Sequence, residues 1–234
     1  YGTGFIVNDY YVATAGHLAY KANHGGYADH FAVYVGANNG TYKRYSYALS
    51  YKVGGDFVGE YEKYISEYGY NFTGSYEQLY KKVYDTARFD DWAIIECDTS
   101  LDGLGHLCIK PANSAVEMLD RVYYTQGYPG PLNEDRLNVP TGNTENLIDY
   151  WMYTASGEIL GDEIRQPRFL TVVSTDIDIE RGQSGSPVYT HYSDSGYTAQ
   201  AIVISESYWS DTGEPSYNSA ILINDWLCNI IMGL

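Results

Sequence analysis

Nine short runs of Val, Ile, Leu, Ala and Tyr, most of them closed by Gly, Pro, Asn, Asp or Ser, constrain this chain more than any other feature. They are "GFIV" (4–7), "YYVATA" (10–15), "YSYALSYKV" (45–53), "WAIIE" (92–96), "RVYYTQ" (121–126), "FLTVVST" (169–175), "SPVYT" (186–190), "AQAIVIS" (199–205) and "SAILI" (219–223). Most are of strand length and few are long enough for a helix. "GFIV" and "YYVATA" flank the turn "ND", which predicts a hairpin. In 45–53 the alternation predicts that Tyr45, Tyr47, Leu49, Tyr51 and Val53 share the buried face. Helix signals are scarce. Ser75 and Gln78 form a capping-box pattern ahead of "LYKKVY", and Asn224 caps a terminal stretch with Leu227, Ile230 and Ile231 on one face, ending at Gly233. The chain therefore reads as all-β, a sandwich or barrel arrangement with a short C-terminal helix. Residues 99–114, "TSLDGLGH" through "KPANS", are the candidate join between two halves.

Composition removes several function classes. A net charge of −16, from 30 acidic and 14 basic residues, leaves nothing to neutralise nucleic-acid phosphates. No run of apolar residues reaches the length of a membrane-spanning helix. The first residues lack a basic leader and cleavage pattern, so the numbering is expected to begin at a mature or trimmed end. Of three cysteines, Cys97 and Cys108 are close enough in sequence to bridge, and none has the spacing of a metal ligand. Neither metal nor organic cofactor is expected.

Three stretches carry chemistry. "TAGH" (14–17) follows one strand, "DDWAI" (90–94) opens another, and "GQSGSP" (182–187) enters a third. Alone, each has a plain reading: a hydrogen-bonded histidine, an acid at a strand end, a Gly/Ser/Pro turn. Together they supply what a serine nucleophile lacks. A hydroxyl needs a base to take its proton, and the base needs a third group to hold its tautomer. Ser184, His17 and Asp91 fit those roles, with Asp90 as a rival for the third.

In this order the stretches resemble the trypsin/chymotrypsin-like serine protease superfamily, in particular its bacterial V8-like branch, related to glutamyl endopeptidases. "GTGFIV" (2–7), "GYPG" (127–130) and "NSAILIN" (218–224) extend the resemblance to the C-terminus, leaving about 54–88 unmatched. The resemblance implies two antiparallel β-barrels of the chymotrypsin type, one over 1–112 carrying His17 and Asp91, the other over 113–234 carrying Ser184. It implies a serine endopeptidase working through an acyl-enzyme on protein or peptide substrates, secreted or extracytoplasmic. The N–H groups of Gly182 and Ser184 would then form the oxyanion hole. "DWA" favours Asp91 over Asp90. Activity would rise with pH as the imidazole loses its proton. A silent binding protein on the same fold, or an esterase using the same triad, are the alternatives.

The chain departs from the family in three places. Gln183 stands where the digestive enzymes carry an aspartate. Residues 54–88 read as a surface insertion with a short helix, or as a flap over the cleft; "NFT" (71–73) within it matches a glycosylation acceptor. In the strand after the serine, Ser205 stands where glutamyl endopeptidases use a histidine. Asp178, Ile179, Glu180, Ser205 and Glu206 are the candidate pocket residues, and their acidity favours a basic or small polar P1 residue. The alternative is that Asp176 and Asp178 point outward from a strand whose inward residues are Ile177 and Ile179.

Overall fold

The computed structural model describes residues 1–21, 26–68, 83, 86–137, 149–165, 170–205 and 217–233. Its first half holds β1 (Gly4–Ile6), β2 (Tyr11–Thr14), the two-residue β3 (Tyr20–Lys21) and β4 (Gly26–Tyr27), β5 (Ala32–Val35), β6 (Arg44–Val53), helix α1 (Gly55–Tyr68) and β7 (Ala93–Cys97). The second half holds β8 (Cys108–Ile109), β9 (Tyr123–Gly127), helix α2 (Gly130–Leu137), β10 (Tyr153–Gly157), β11 (Ile159–Arg165), β12 (Leu170–Thr175), β13 (Pro187–Tyr192), β14 (Gly196–Ser205), β15 (Asn218–Leu222) and helix α3 (Asp225–Met232). One sheet runs β1-β2-β7-β6-β5 and the other β10-β9-β13-β14-β15-β12-β11. Each curls into a half-barrel, the two-barrel arrangement of the chymotrypsin type. All pairs are antiparallel except β8, which runs parallel to β14 through Thr198↔Cys108 and Ala199↔Ile109.

The expected hairpin forms, with Phe5 opposite Ala13 and Ile6 opposite Val12. Its turn is closed by Asn8, whose Oδ1 accepts the N–H groups of Tyr10 and Tyr11 at 3.0 and 3.1 Å. The alternation expected for 45–53 holds only in part. Ala48 pairs with Cys97 but Ser50 with Glu96, so Leu49 is an extra residue in the ladder. A bulge of this kind shifts the phase of a period-two pattern by one. Ser46 is therefore buried before it and Tyr51 half-buried after it, while Tyr47 and Leu49 are exposed at 54% and 66%.

A single apolar cluster joins the halves. Phe5, Ala13, Phe89, Trp92 and Ile94 pack with Val172, Ile202, Ile204, Ile221 and, from α3, Leu227 and Ile231. Each large side chain buried this way contributes on the order of 1.5–3 kcal/mol, so the halves are held in one register. Asn224 caps α3 as its sequence pattern requires, its Oδ1 accepting the Leu227 N–H at 2.9 Å. Cys97, Cys108 and Cys228 are free thiols, so the candidate Cys97–Cys108 bridge is not made: Cys97 is sealed in the first sheet and Cys108 lies exposed on β8. Burial pushes the Cys97 thiol up.

The 54–88 stretch is more than a surface loop. Phe57, Val58, Tyr61 and Tyr64 lie on one side of α1 at helical spacing and bury against Tyr20, Val83 and Ala87. The Ser75/Gln78 helix and the "NFT" acceptor lie outside the described residues.

Candidate active site

His17 sits in a 3-10 turn, Gly16–Leu18, that leaves the end of β2. Its backbone N–H donates to Asp91 Oδ1 at 2.7 Å, and its Nδ1 lies 2.8 Å from Asp91 Oδ2. The carboxylate thus grips one residue at two points, and the second bond selects the tautomer with its proton on Nδ1. Nε2 is left as the basic atom. Asp91 is fully buried, while the His17 side chain keeps 15% of its surface. Gly16 makes the approach possible: a Cβ there would stand 3.0 Å from the Trp92 backbone N and O and 3.1 Å from Asp91 Oδ1.

Adjacent acids divide the work. Asp90 turns the other way, its Oδ2 accepting the Asp56 N–H at the start of α1 at 2.8 Å and its Oδ1 accepting the Trp92 Nε1–H at 2.5 Å. It caps a helix and satisfies a buried indole, whereas Asp91 faces the histidine.

Ser184 lies in the turn between Glu180 and β13. Gln183 N–H donates to Glu180 O at 3.0 Å and Ser186 N–H to Gln183 O at 2.9 Å. The Gln183 side chain is buried beneath the turn, its Oε1 accepting the Glu180 N–H at 2.9 Å. The residue at the position of the digestive enzymes' aspartate is a staple for its own loop. Gly182 and Gly185 both have positive φ, +99° and +87°. Among the described residues the N–H groups of Gly182 and Ser184 donate to no protein acceptor.

Thr3, which the sequence did not single out, ties this turn to the first half. Its N–H donates to Ser184 O at 2.8 Å and its Oγ1–H to Gly182 O at 2.8 Å. Thr3 Oγ1 accepts the Tyr128 N–H at 3.1 Å, and Thr3 O accepts the Thr14 hydroxyl at 2.6 Å. Thr14 lies three residues before His17. Gly185 closes the same contact, since a Cβ there would lie 2.0 Å from Thr3 O, 2.2 Å from Thr14 Oγ1 and 3.0 Å from Ala15 N. The loops bearing His17 and Ser184 therefore touch, backbone to backbone. Thr3 falls within "GTGFIV", but nothing in that stretch points to its partners in the Ser184 turn, of which Gly182 lies 179 positions away.

The candidate pocket residues fare unevenly. Asp178 is exposed, and Ile177 and Ile179 are buried in the core of the second half. The sidedness matches the outward-aspartate alternative, but the segment is irregular, since β12 ends at Thr175. Glu180 is half-buried and belongs to the Ser184 turn. Ser205 ends β14 opposite Ser219. Val203 is the β14 residue bonded to the turn, through Gly185 N–H to Val203 O at 2.8 Å and Val203 N–H to Ser186 O at 2.9 Å. Glu206 lies outside the described residues. Among those described, no group of three or more His, Cys, Asp or Glu side chains is placed to hold a metal ion.

Comparison with known proteins agrees with this architecture. A Glu endopeptidase solved in complex with MPD superposes with a TM-score of 0.65 at 17% sequence identity, covering 99% of this chain and 84% of that one. The likeness is one of fold. A search of curated proteins finds no match. The sequence profile of the trypsin-like peptidase domain matches residues 2–194. With most of its length so matched, the chain belongs to the trypsin-like peptidase domain family.

Proposed function

We propose that the protein is a serine endopeptidase with a His17–Asp91–Ser184 triad. The observation that carries the reading is the two-point grip of buried Asp91 on His17, which leaves Nε2 as the basic atom of a histidine whose loop touches the Ser184 turn. In this mechanism Nε2 takes the proton from Ser184 Oγ as Oγ attacks the scissile carbonyl, and Asp91 stabilises the imidazolium that results. The carbonyl oxygen becomes an oxyanion and accepts the N–H groups of Gly182 and Ser184, which have no protein acceptor of their own among the described residues. The imidazolium then protonates the leaving amine. Water, activated by the same base, hydrolyses the acyl-enzyme.

A fluorophosphonate probe tests this without knowledge of the substrate. The parent should gain the mass of one adduct on Ser184 and the Ser184→Ala variant none. An unlabelled, well-folded parent would leave the silent binding protein as the reading to pursue. Hydrolysis of simple esters without cleavage of denatured casein would favour the esterase.

For specificity we favour a basic or small polar P1 residue. The segment before Ser184 carries Asp178 and Glu180, Glu206 follows β14, and β14 supplies Val203 and Ser205 with no histidine between Gly196 and Ser205. Digestion of a peptide library should then give cuts mainly after Arg, Lys or small polar residues. Cuts mainly after Glu would overturn the assignment of Asp178, Ile179, Glu180, Ser205 and Glu206 as such a pocket.

A further inference from the structure

Behind the Ser184 turn the structure buries a carboxylate that the triad does not use. Glu134 of α2 is only 4% exposed, and Arg181 Nη2 donates to both its oxygens, at 2.7 and 2.9 Å. Sealing a carboxylate away from water is unfavourable unless a cation and good geometry offset it, and an apolar side chain would serve packing alone. Arg181, by contrast, keeps 45% of its side-chain surface, so the pair is no requirement of the core.

Next to the pair lies the peptide unit that follows Arg181. Arg181 O accepts the Gly130 N–H, from the first residue of α2, at 2.6 Å. The peptide linking Arg181 to Gly182 is planar, so in the trans form its C=O and N–H point in opposite directions. Anchoring that carbonyl on Gly130 therefore aims the Gly182 N–H away from α2. The flanking glycine, at φ +99°, would by itself tolerate other orientations of this peptide. The anchor is rigid. Asn133 Nδ2 donates to Pro129 O at 2.8 Å and to Trp151 O at 3.0 Å, while its Oδ1 accepts the Trp151 N–H at 2.6 Å. Crowding on the Gly130 side leaves the glycine little room, since a Cβ on Gly182 would stand 2.4 Å from Tyr128 O, 2.8 Å from Tyr1 Cε2 and 3.1 Å from Gly130 N.

We infer that Glu134 is a positioning residue: through Arg181, and with Gly130, it holds the Arg181–Gly182 peptide so that the Gly182 N–H faces the oxyanion. The inference rests on the serine-protease reading of the site. It supplies, with a side-chain pair, an ordering device for the turn in a chain whose Gln183 stands where the digestive enzymes carry an aspartate.

The test follows fluorophosphonate labelling of the full chain at several probe concentrations, separating the limiting rate from the half-saturating concentration, with a thermal melt for each variant. Glu134→Gln and Arg181→Ala should lower the limiting rate about 100-fold, the size of effect seen when one oxyanion donor is lost. The half-saturating concentration should stay within about threefold of the parent's, because the probe's ground state does not engage that donor. Arg181→Lys, which keeps the cation but loses the planar guanidinium, should recover part of the rate. If Glu134→Gln fails to fold, the half-exposed Arg181 carries the test alone. Limiting rates equal to the parent's in folded variants would overturn the inference, as would a change confined to the half-saturating concentration. A parent that never labels would overturn the protease reading and this inference with it.

Discussion

Asp91→Asn should lower kcat by roughly 10⁴-fold, the scale on which misorienting a triad histidine acts, while leaving the fold in place. The geometry leaves the amide no good option. With its NH2 group toward His17 Nδ1, it donates where it should accept, so the imidazole must carry its proton on Nε2, the atom that has to be basic. With its NH2 group toward the His17 backbone N–H, two donors face each other at a contact that is 2.7 Å in the parent. Either way the histidine loses its tautomer or its anchor. Hydrolysis of fluorogenic casein, with a thermal melt as control, measures the effect. A loss below tenfold in a folded variant would mean that Asp91 does not hold the base.

Gly185→Ala is the second large effect, and here stability and activity should fall together. At φ +87° an alanine is strained by on the order of 1–3 kcal/mol wherever it sits. The crowding adds to this, because the new Cβ meets Thr3 O at 2.0 Å and Thr14 Oγ1 at 2.2 Å. Neither can yield cheaply: they are hydrogen-bonded to each other, and Thr3 also holds Ser184 O. We expect a destabilisation of about 4–5 kcal/mol by urea denaturation, at the far end of what single substitutions do. Labelling of Ser184 should vanish even in the folded fraction, since the turn must withdraw from the His17 loop to make room. Gly196→Ala is the control. Gly196 also has positive φ, +73°, but a Cβ there meets nothing within 4 Å, so only the strain remains. Equal losses at both positions would show that the contact with Thr3 and Thr14 is not what Gly185 protects.

Local chemistry made much of this protein legible. The "ND" hairpin, the Asn224 cap and the three motif turns all depend on residues within a few positions of one another. Where long-range pairing decides, the pattern misleads or is silent. Leu49 looks like a core residue until Ser50 pairs with Glu96 and shifts the phase. Phe57, Val58, Tyr61 and Tyr64 carry helical spacing in plain view, yet what they bury against, Tyr20 and Ala87, comes from either side of α1 in the chain. "DWA" favours Asp91 over Asp90, but only the fold reveals that Asp90 is engaged with Asp56 and Trp92. Thr3 is marked only as part of "GTGFIV" and Glu134 by nothing, because their bonds exist only once Gly182 and Arg181 arrive beside them.

The bond from Thr3 to the Ser184 turn also has a meaning in time. It joins positions 179 apart for Gly182 O, so it closes a loop that spans most of the chain. Contacts of such separation are reached late, after local hairpins and helices have formed, because the ends must be brought together against the entropy of the intervening chain. A partly made chain therefore has its histidine loop and first sheet but no Ser184 turn to set against them. The loop that bears His17 and the turn that bears Ser184 are thus brought together late in folding.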